Sequence, residues 1–309
     1  MVRGVRFLLA VGLVLSLLFA GSATAQDDEK VVAVLTPYLA SATTQIMVEQ
    51  FEAYGNTKGW KVNVIDTAGD LAALDSRIQD VVTQNVDAIV ISANPELVPA
   101  GIESANGAGI PVFGMDAGST LGLELDVTSN NYQMAAATAS YIVDRLEGVG
   151  RVVMFVHPPY APVQKRGVIA QSIFDNTPDI EIVDQVFVAV PGPIENARNA
   201  MENLLTANPE PGSINAVWAA WDEPAIGALQ AIQAAGRENE GIVIVGIDAI
   251  GPAREAIAEG SNFEATIAQD FVGIAQTLAD SIEQHLGGAV LPQKTLYVPA
   301  TLVNQSNAQ

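Results

Sequence analysis

Two aspartates carry the clearest chemical signal in this chain. Asp116 ends the segment Ile110-Pro-Val-Phe-Gly-Met-Asp116-Ala117, and Asp248 ends Ile242-Val-Ile-Val-Gly-Ile-Asp248-Ala249. Each follows a buried-strand pattern and stands in a Gly-x-Asp-Ala step. A carboxylate at the carboxyl end of a strand accepts hydrogen bonds from two vicinal hydroxyls. Two such groups, one from each half of a molecule, would hold a small polar ligand only when the halves close on it. The rival reading makes each a cap of the helix that follows, and for Asp248, just ahead of Gly251-Pro252, that rival is serious. Trp221 and Asp222 follow the strand-like run Ala216–Ala220. An indole offers flat apolar area to a sugar ring at little entropic cost, whereas Trp218, inside the run, reads as core. Tyr38, Ser41, Thr43 and Thr44 form a hydroxyl-rich loop after the first apolar run.

Other chemistries are absent from the sequence. There is no cysteine and there are only two histidines, His157 and His285, in different segments. Thiol catalysis and Cys–His metal sites are impossible, and each histidine reads as a satisfied or solvent-facing side chain. No Gly-x-Ser-x-Gly elbow, His-Glu-x-x-His, Gly-x-Gly-x-x-Gly or Walker loop occurs. Paired carboxylates also serve glycoside hydrolysis. No enzyme activity, cofactor or metal is expected.

The elements that must position these residues are short β-rich runs alternating with helical stretches. Expected strands are Val31–Leu35, Lys61–Ile65, Ala88–Ser92, Pro111–Met115, Arg151–Val156, Glu181–Val188, Ala216–Ala220, Ile242–Ile247 and Ala265–Ala268. Their near-continuous Val and Ile content fits parallel strands buried on both faces. Leu71, Leu74, Ile78 and Val81 recur at helical spacing, as do Ala225, Leu229 and Ile232. Such alternation predicts an α/β fold of two similar doubly wound parallel-sheet lobes, with ligands at the carboxyl ends of the strands.

The first thirty residues point to export. Arg3 and Arg6 precede the apolar run Phe7–Leu15, and Gly21-Ser-Ala-Thr-Ala25 offers a small-x-small cleavage site before Gln26. This is the pattern of a secretory signal, so residues 1–25 are expected to be removed and the mature protein to work in the periplasm. Losing Arg3 and Arg6 lowers the 14 basic residues to 12 against 35 acidic ones, a net charge of −23. That excludes binding nucleic acid through a basic face and argues against attraction to anionic membranes.

Taken in order, several segments resemble the ribose-binding-like periplasmic solute-binding proteins of ABC importers. They are Val31-Val-Ala-Val-Leu-Thr-Pro-Tyr, Asn85-Val-Asp-Ala-Ile-Val-Ile-Ser, Ile110-Pro-Val-Phe-Gly-Met-Asp and Ser129-Asn-Asn. Lys165-Arg-Gly, Trp221-Asp-Glu-Pro-Ala-Ile-Gly-Ala-Leu-Gln-Ala, Val245-Gly-Ile-Asp and Thr266-Ile-Ala-Gln complete the set. The likeness covers nearly all of residues 31–304. It implies a monomer of two lobes that captures a monosaccharide or polyol by closure and delivers it to the importer's permease. It also implies an N-terminal lobe of 31–130 plus 270–292 and a C-terminal lobe of 131–269 plus 293–304. The hinge segments would be Ser129–Asn131, Ala268–Asp270 and the stretch near Pro292.

The resemblance assigns further residues. Arg166 stands where relatives contact sugar through an arginine, whose fork of donors suits hydroxyl and ring oxygens. Gln269 stands where they place a ligand-contacting amide, and Asn131 lies at the first crossover, facing either a ligand or the hinge backbone. Three departures bear on the ligand. Ala117 follows the aspartate where ribose binders commonly have arginine, Trp221 replaces an expected asparagine, and the first loop lacks its paired phenylalanines. Ribose is therefore not inherited, and another monosaccharide, a polyol or a non-sugar ligand such as a furanone remains open. So does a sensory role, presenting ligand to a chemoreceptor or histidine kinase. A LacI-like regulator would need a basic helix-turn-helix where this chain has its signal.

Overall fold

Runs of Val, Ile and Ala with no polar interruption can bury both faces of a strand, and such runs form the centres of two sheets. The computed structural model describes Met1 and residues 29–309; the cleavage site expected at Ala25 lies outside the described residues. In the first half the strands are β1 (Val31–Thr36), β2 (Lys61–Asp66), β3 (Ala88–Ile91), β4 (Val112–Met115) and β5 (Leu125–Ser129). The second half contributes β6 (Val149–Val156), β7 (Asp179–Phe187), β8 (Ala216–Ala219), β9 (Val243–Val245) and β10 (Phe263–Gln269). Two short strands close the chain, β11 (Thr295–Val298) and β12 (Ala300–Asn304).

The two sheets repeat one topology, β11-β5-β4-β3-β1-β2 and β12-β10-β9-β8-β6-β7. All pairings are parallel except that of β12 with β10. In each sheet the winding reverses direction beside its first strand, between β1 and β3 and between β6 and β8, which is where α/β sheets open a crevice for ligands. Helices cover both faces. They are α1 (Ala42–Thr57), α2 (Leu71–Thr83), α3 (Pro99–Gly107), α4 (Asn131–Arg145), α5 (Ala161–Asp175), α6 (Pro193–Ala207), α7 (Asp222–Ala234), α8 (Gly251–Ala258) and α9 (Phe271–Leu286).

The chain passes between the halves three times. It leaves the first sheet after β5 and enters α4, whose Ala135, Ala139 and Ile142 join the core of the second sheet. It returns after β10 into α9, whose Ile274, Leu278 and Ile282 pack with Val34, Met115 and Val127 of the first sheet. The third crossing differs from the expectation. Thr295–Val298 pairs with Asp126–Ser129 in the first sheet, so the chain crosses at Pro299, not near Pro292, and residues 293–298 belong with the N-terminal half. Proline has no N–H to give a ladder, which suits it to the single step between two sheets.

Candidate functional site

The loops after the switch-point strands converge on one cavity between the two halves. From the first half it is lined by Tyr38 after β1, Ser41, Thr43 and Met47 at the start of α1, Asp116 after β4, and Phe271 opening α9. From the second half come His157 after β6, Tyr160, Val163 and Arg166 around the start of α5, and Val190 and Pro193. Trp221 after β8, Glu223, Asp248 after β9 and Gln269 at the end of β10 complete the wall.

Eight of the eleven sequence-chosen residues therefore meet in one place: Tyr38, Ser41, Thr43, Asp116, Arg166, Trp221, Asp248 and Gln269. Three do not line it. Thr44 is buried in the first turn of α1. Asn131 turns its amide away, donating to Thr128 Oγ1 at 3.2 Å and to the Ser129 carbonyl at 3.1 Å, while its Oδ1 accepts from Arg166 Nε at 2.6 Å. It thus holds both the hinge backbone and the arginine.

Asp222 is the third, and its role explains the Gly-x-Asp-Ala step. Asp222 is fully buried, accepts from Thr266 Oγ1 at 2.6 Å, and accepts the Ile250 N–H at 3.0 Å. The first half has a counterpart in Asp126, which accepts the Ala117 and Gly118 amides, each at 2.9 Å. In both halves a hidden carboxylate grips the loop just beyond the cavity aspartate. The glycine of each step makes the room. A Cβ on Gly114 would sit 2.6 Å from Asp126 Oδ1, and one on Gly246 would run into the Asp222 carboxylate.

The gripped loops are strained. Asp116 has φ of 54°, Asp248 130° and Ala249 55°, values that L-residues rarely adopt. Strain of that kind persists only where surrounding structure enforces it, and the buried carboxylates supply the enforcement. Neither cavity aspartate caps a helix. Asp116 precedes no helix, and α8 has Ile250 at its N-cap with no side-chain cap bond. The capping rival is removed for both.

Arg166 is 2% exposed and forms the centre of the charge system. Its Nη1 donates to the Ala220 carbonyl at 2.9 Å and lies 3.7 Å from Asp248 Oδ1. Burial pushes the Asp116 and Asp248 carboxyls above the ordinary range, Asp248 strongly, and the Arg166 guanidinium opposes the shift at both. Asp116 accepts from Thr128 Oγ1 and from the Tyr160 hydroxyl, the latter at 3.1 Å. Asp248 Oδ1 accepts from Gln269 Nε2 at 2.7 Å.

Three polar atoms on the cavity wall are buried with no partner in the protein: Tyr38 OH, His157 Nε2 and Gln269 Oε1. Leaving such groups unpaired costs about 1–3 kcal/mol each, so they describe what a ligand must supply. The His157 Nδ1 faces the Val188 carbonyl at 2.9 Å, which assigns the proton to Nδ1 and makes Nε2 an acceptor. Burial holds this imidazole's pKa below its ordinary value, favouring the neutral ring. Gln269 donates through its nitrogen to Asp248, so its oxygen is also an acceptor. The wall is rich in acceptors, and a fitting ligand is rich in donors.

Sequence reasoning missed His157, Tyr160 and Glu223. His157 stands directly after a strand, the position that singled out the two aspartates, and that rule applied evenly would have found it. Tyr160 and Glu223 sit on helix starts and gave no comparable signal. Among the described residues, no group of three or more acidic or histidine side chains could hold a metal ion, and no helix is long and apolar enough to cross a membrane.

Two like-wound α/β halves, joined by three crossings and facing each other across a cavity at the carboxyl edges of both sheets, define a two-lobed solute-binding protein. The family described as the periplasmic binding protein domain matches residues 32–289, and the chain belongs to that family. The chain is 30% identical to the ribose import binding protein of Bacillus subtilis (strain 168) over 259 residues, 82% of this chain and 80% of that one. It is 27% identical to the xylitol-binding protein of Mycolicibacterium smegmatis over 274 residues, 87% of this chain and 76% of the other. Among solved structures, an ABC transporter solute-binding protein from Agrobacterium vitis with bound allitol superposes with a TM-score of 0.86 at 26% identity, covering 91% of this chain and 97% of that one. An ABC sugar transporter subunit from Rhodobacter sphaeroides 2.4.1 gives 0.85 at 27% identity, covering 90% and 99%.

Proposed function

We propose that this protein is the extracytoplasmic binding component of an ABC importer, capturing a small polyhydroxylated ligand, a monosaccharide or polyol, between its lobes. The observation that carries this reading is the acceptor-rich cavity wall. Asp116 comes from one half and Asp248 from the other, Arg166 lies beside Asp248, and His157 Nε2 and Gln269 Oε1 have no protein partner. Vicinal hydroxyls donate to carboxylates and accept from a guanidinium, so a polyol satisfies the whole set at once. Trp221, Met47, Val163 and Phe271 supply apolar wall for the C–H faces of the ligand. The ribose, xylitol and allitol named for relatives fit this chemistry.

The same reading makes the protein a carrier and not a catalyst. Its further partner is a membrane permease, its working form a monomer, and its location the periplasm after cleavage near Ala25. A thermal-shift screen of pentoses, hexoses, furanoses and acyclic and cyclic polyols tests the ligand class. A ligand at 100 times its dissociation constant adds about 2.7 kcal/mol of stability. Stabilisation by polyhydroxylated compounds is expected; stabilisation only by amino acids or sugar acids would overturn the class. Intact mass of exported protein tests the mature start at Gln26.

A further inference from the structure

We infer that Glu223 is a positioning residue that couples lobe closure to the capping of helix α1. Ser41 occupies the N-cap position of α1, yet its side chain caps none of that helix's own amides, and the first turn holds no acidic residue. The Ser41 hydroxyl instead donates across the cleft to Glu223 Oε2 at 2.9 Å, which sets that carboxylate beside the N-terminus of α1. A helix N-terminus has unpaired amides and a partial positive charge. Here the compensating carboxylate is delivered by the opposite half of the molecule.

Glu223 is prepared for this contact on its own side. It stands in the first turn of α7, where that helix's N-terminus favours a negative charge. The Trp221 indole N–H donates to the same Oε2 at 3.1 Å and fixes the carboxylate's direction. Parting the halves would break the Ser41 bond and leave the Trp221 bond intact. The cap therefore exists only in the closed form, and its worth is added to closure whatever the ligand. A ligand-contacting side chain changes affinity by different factors for different ligands, whereas a closure cap changes it by one common factor, the shift in the fraction of closed protein.

Amide hydrogen exchange at residues 42–44 reads the cap directly and needs no ligand, so its outcome is separate from that of the proposed ligand class. Wild type, Glu223→Gln and Glu223→Ala are compared in the full chain, alone and with xylitol as probe. Exchange at 42–44 should rise roughly three- to thirtyfold in Glu223→Ala, as for loss of a helix cap. Glu223→Gln, which keeps an acceptor oxygen, should show a smaller rise, and residues 48–57 and the body of α7 should be unchanged. Small-angle scattering should show a more open average shape for Glu223→Ala. Unchanged exchange at 42–44 in both conditions would overturn the inference. So would an equal rise throughout α1 and α7, which would make Glu223 a general stabiliser of the fold.

Discussion

At the scale of single residues, the site is an arrangement of acceptors around one cation, and each acceptor has a separable consequence. Asp248 is 6% exposed, accepts through Oδ1 from Gln269 Nε2 and lies 3.7 Å from Arg166 Nη1, so its Oδ2 is available to a ligand. Asp248→Ala should weaken ligand binding about ten- to a hundredfold, the effect of losing hydrogen bonds to a charged group in a water-poor site. Asp116→Ala should do the same, and calorimetry with the screened ligand measures both. Wild-type affinity in the two variants would remove them from the site. His157→Phe keeps the ring's bulk and its neighbours Tyr38 and Phe187 while deleting the acceptor. It should cost roughly five- to a hundredfold in affinity, and because it also removes the Nδ1–H bond to the Val188 carbonyl the melting temperature should fall as well. Arg166 was legible only through resemblance to relatives, because nothing in Lys165-Arg-Gly says that one of two adjacent basic residues turns inward. The structure shows why it does: Asn131 and the Ala220 carbonyl both receive it.

At the scale of elements, the paired Gly-x-Asp-Ala steps are the most informative, and they were visible as a repeat before their mechanism was. Position after a strand identified Asp116 and Asp248, but the carboxylates that hold their loops come from other elements, Asp126 of β5, 8–9 residues beyond the amides it holds, and Asp222 at the start of α7, 28 residues before Ile250. Sequence position groups Asp222 with Trp221 at the ligand, whereas its side chain lies behind the cavity wall and holds the Ile250 loop. β5 itself went unread because Asp126, Thr128 and Ser129 interrupt its apolar pattern, although all five of its residues are buried. Gly246→Ala should destabilise the protein by about 1–3 kcal/mol, the cost of forcing bulk into a filled site, and denaturant unfolding measures it. The pH dependence of stability has a definite sign. Burial, with Asp116 nearby, pushes the Asp126 carboxyl up to about 7, against about 3.9 unfolded. The folded state then binds the extra proton between these values, so this group's contribution to stability is full below about pH 4 and is lost as pH rises through about 7. Asp126→Asn should flatten that slope. Chemical unfolding at pH 4.5, 6 and 7.5 tests it, and parallel curves for the two proteins would refute the assignment.

At the scale of the whole molecule, two halves meet across the cleft through a small number of specific contacts. Tyr160 OH donates to the Asp116 carbonyl at 2.6 Å, Ser41 to Glu223 at 2.9 Å, and Gly118 abuts Pro162 so closely that a Cβ there would lie 2.7 Å from the proline nitrogen. Gly118→Val should therefore hold the halves apart and weaken every ligand, with a larger radius of gyration by small-angle scattering and an unchanged circular-dichroism spectrum. The two-lobed α/β organisation was readable because buried parallel strands leave uninterrupted apolar runs. The last crossing was not, because Thr295–Val298 is an edge strand, half-exposed, with no such run.

The return of the chain to its first half also sets an order of assembly. A polypeptide delivered N-terminus first makes β1 to β5 early, but the face of that sheet carrying Val34, Met115 and Val127 is covered by α9, and its edge by β11. Until residue 298 has emerged, the earlier half is an unfinished sheet with an open edge and bare apolar side chains, the kind of surface that invites association with other chains. The later half is no better placed, since β12 follows β11. Neither sheet has all its strands until the chain is nearly complete, so full native pairing comes late. A polypeptide that stays unfolded until its end is released is also one that can still be threaded through a narrow pore.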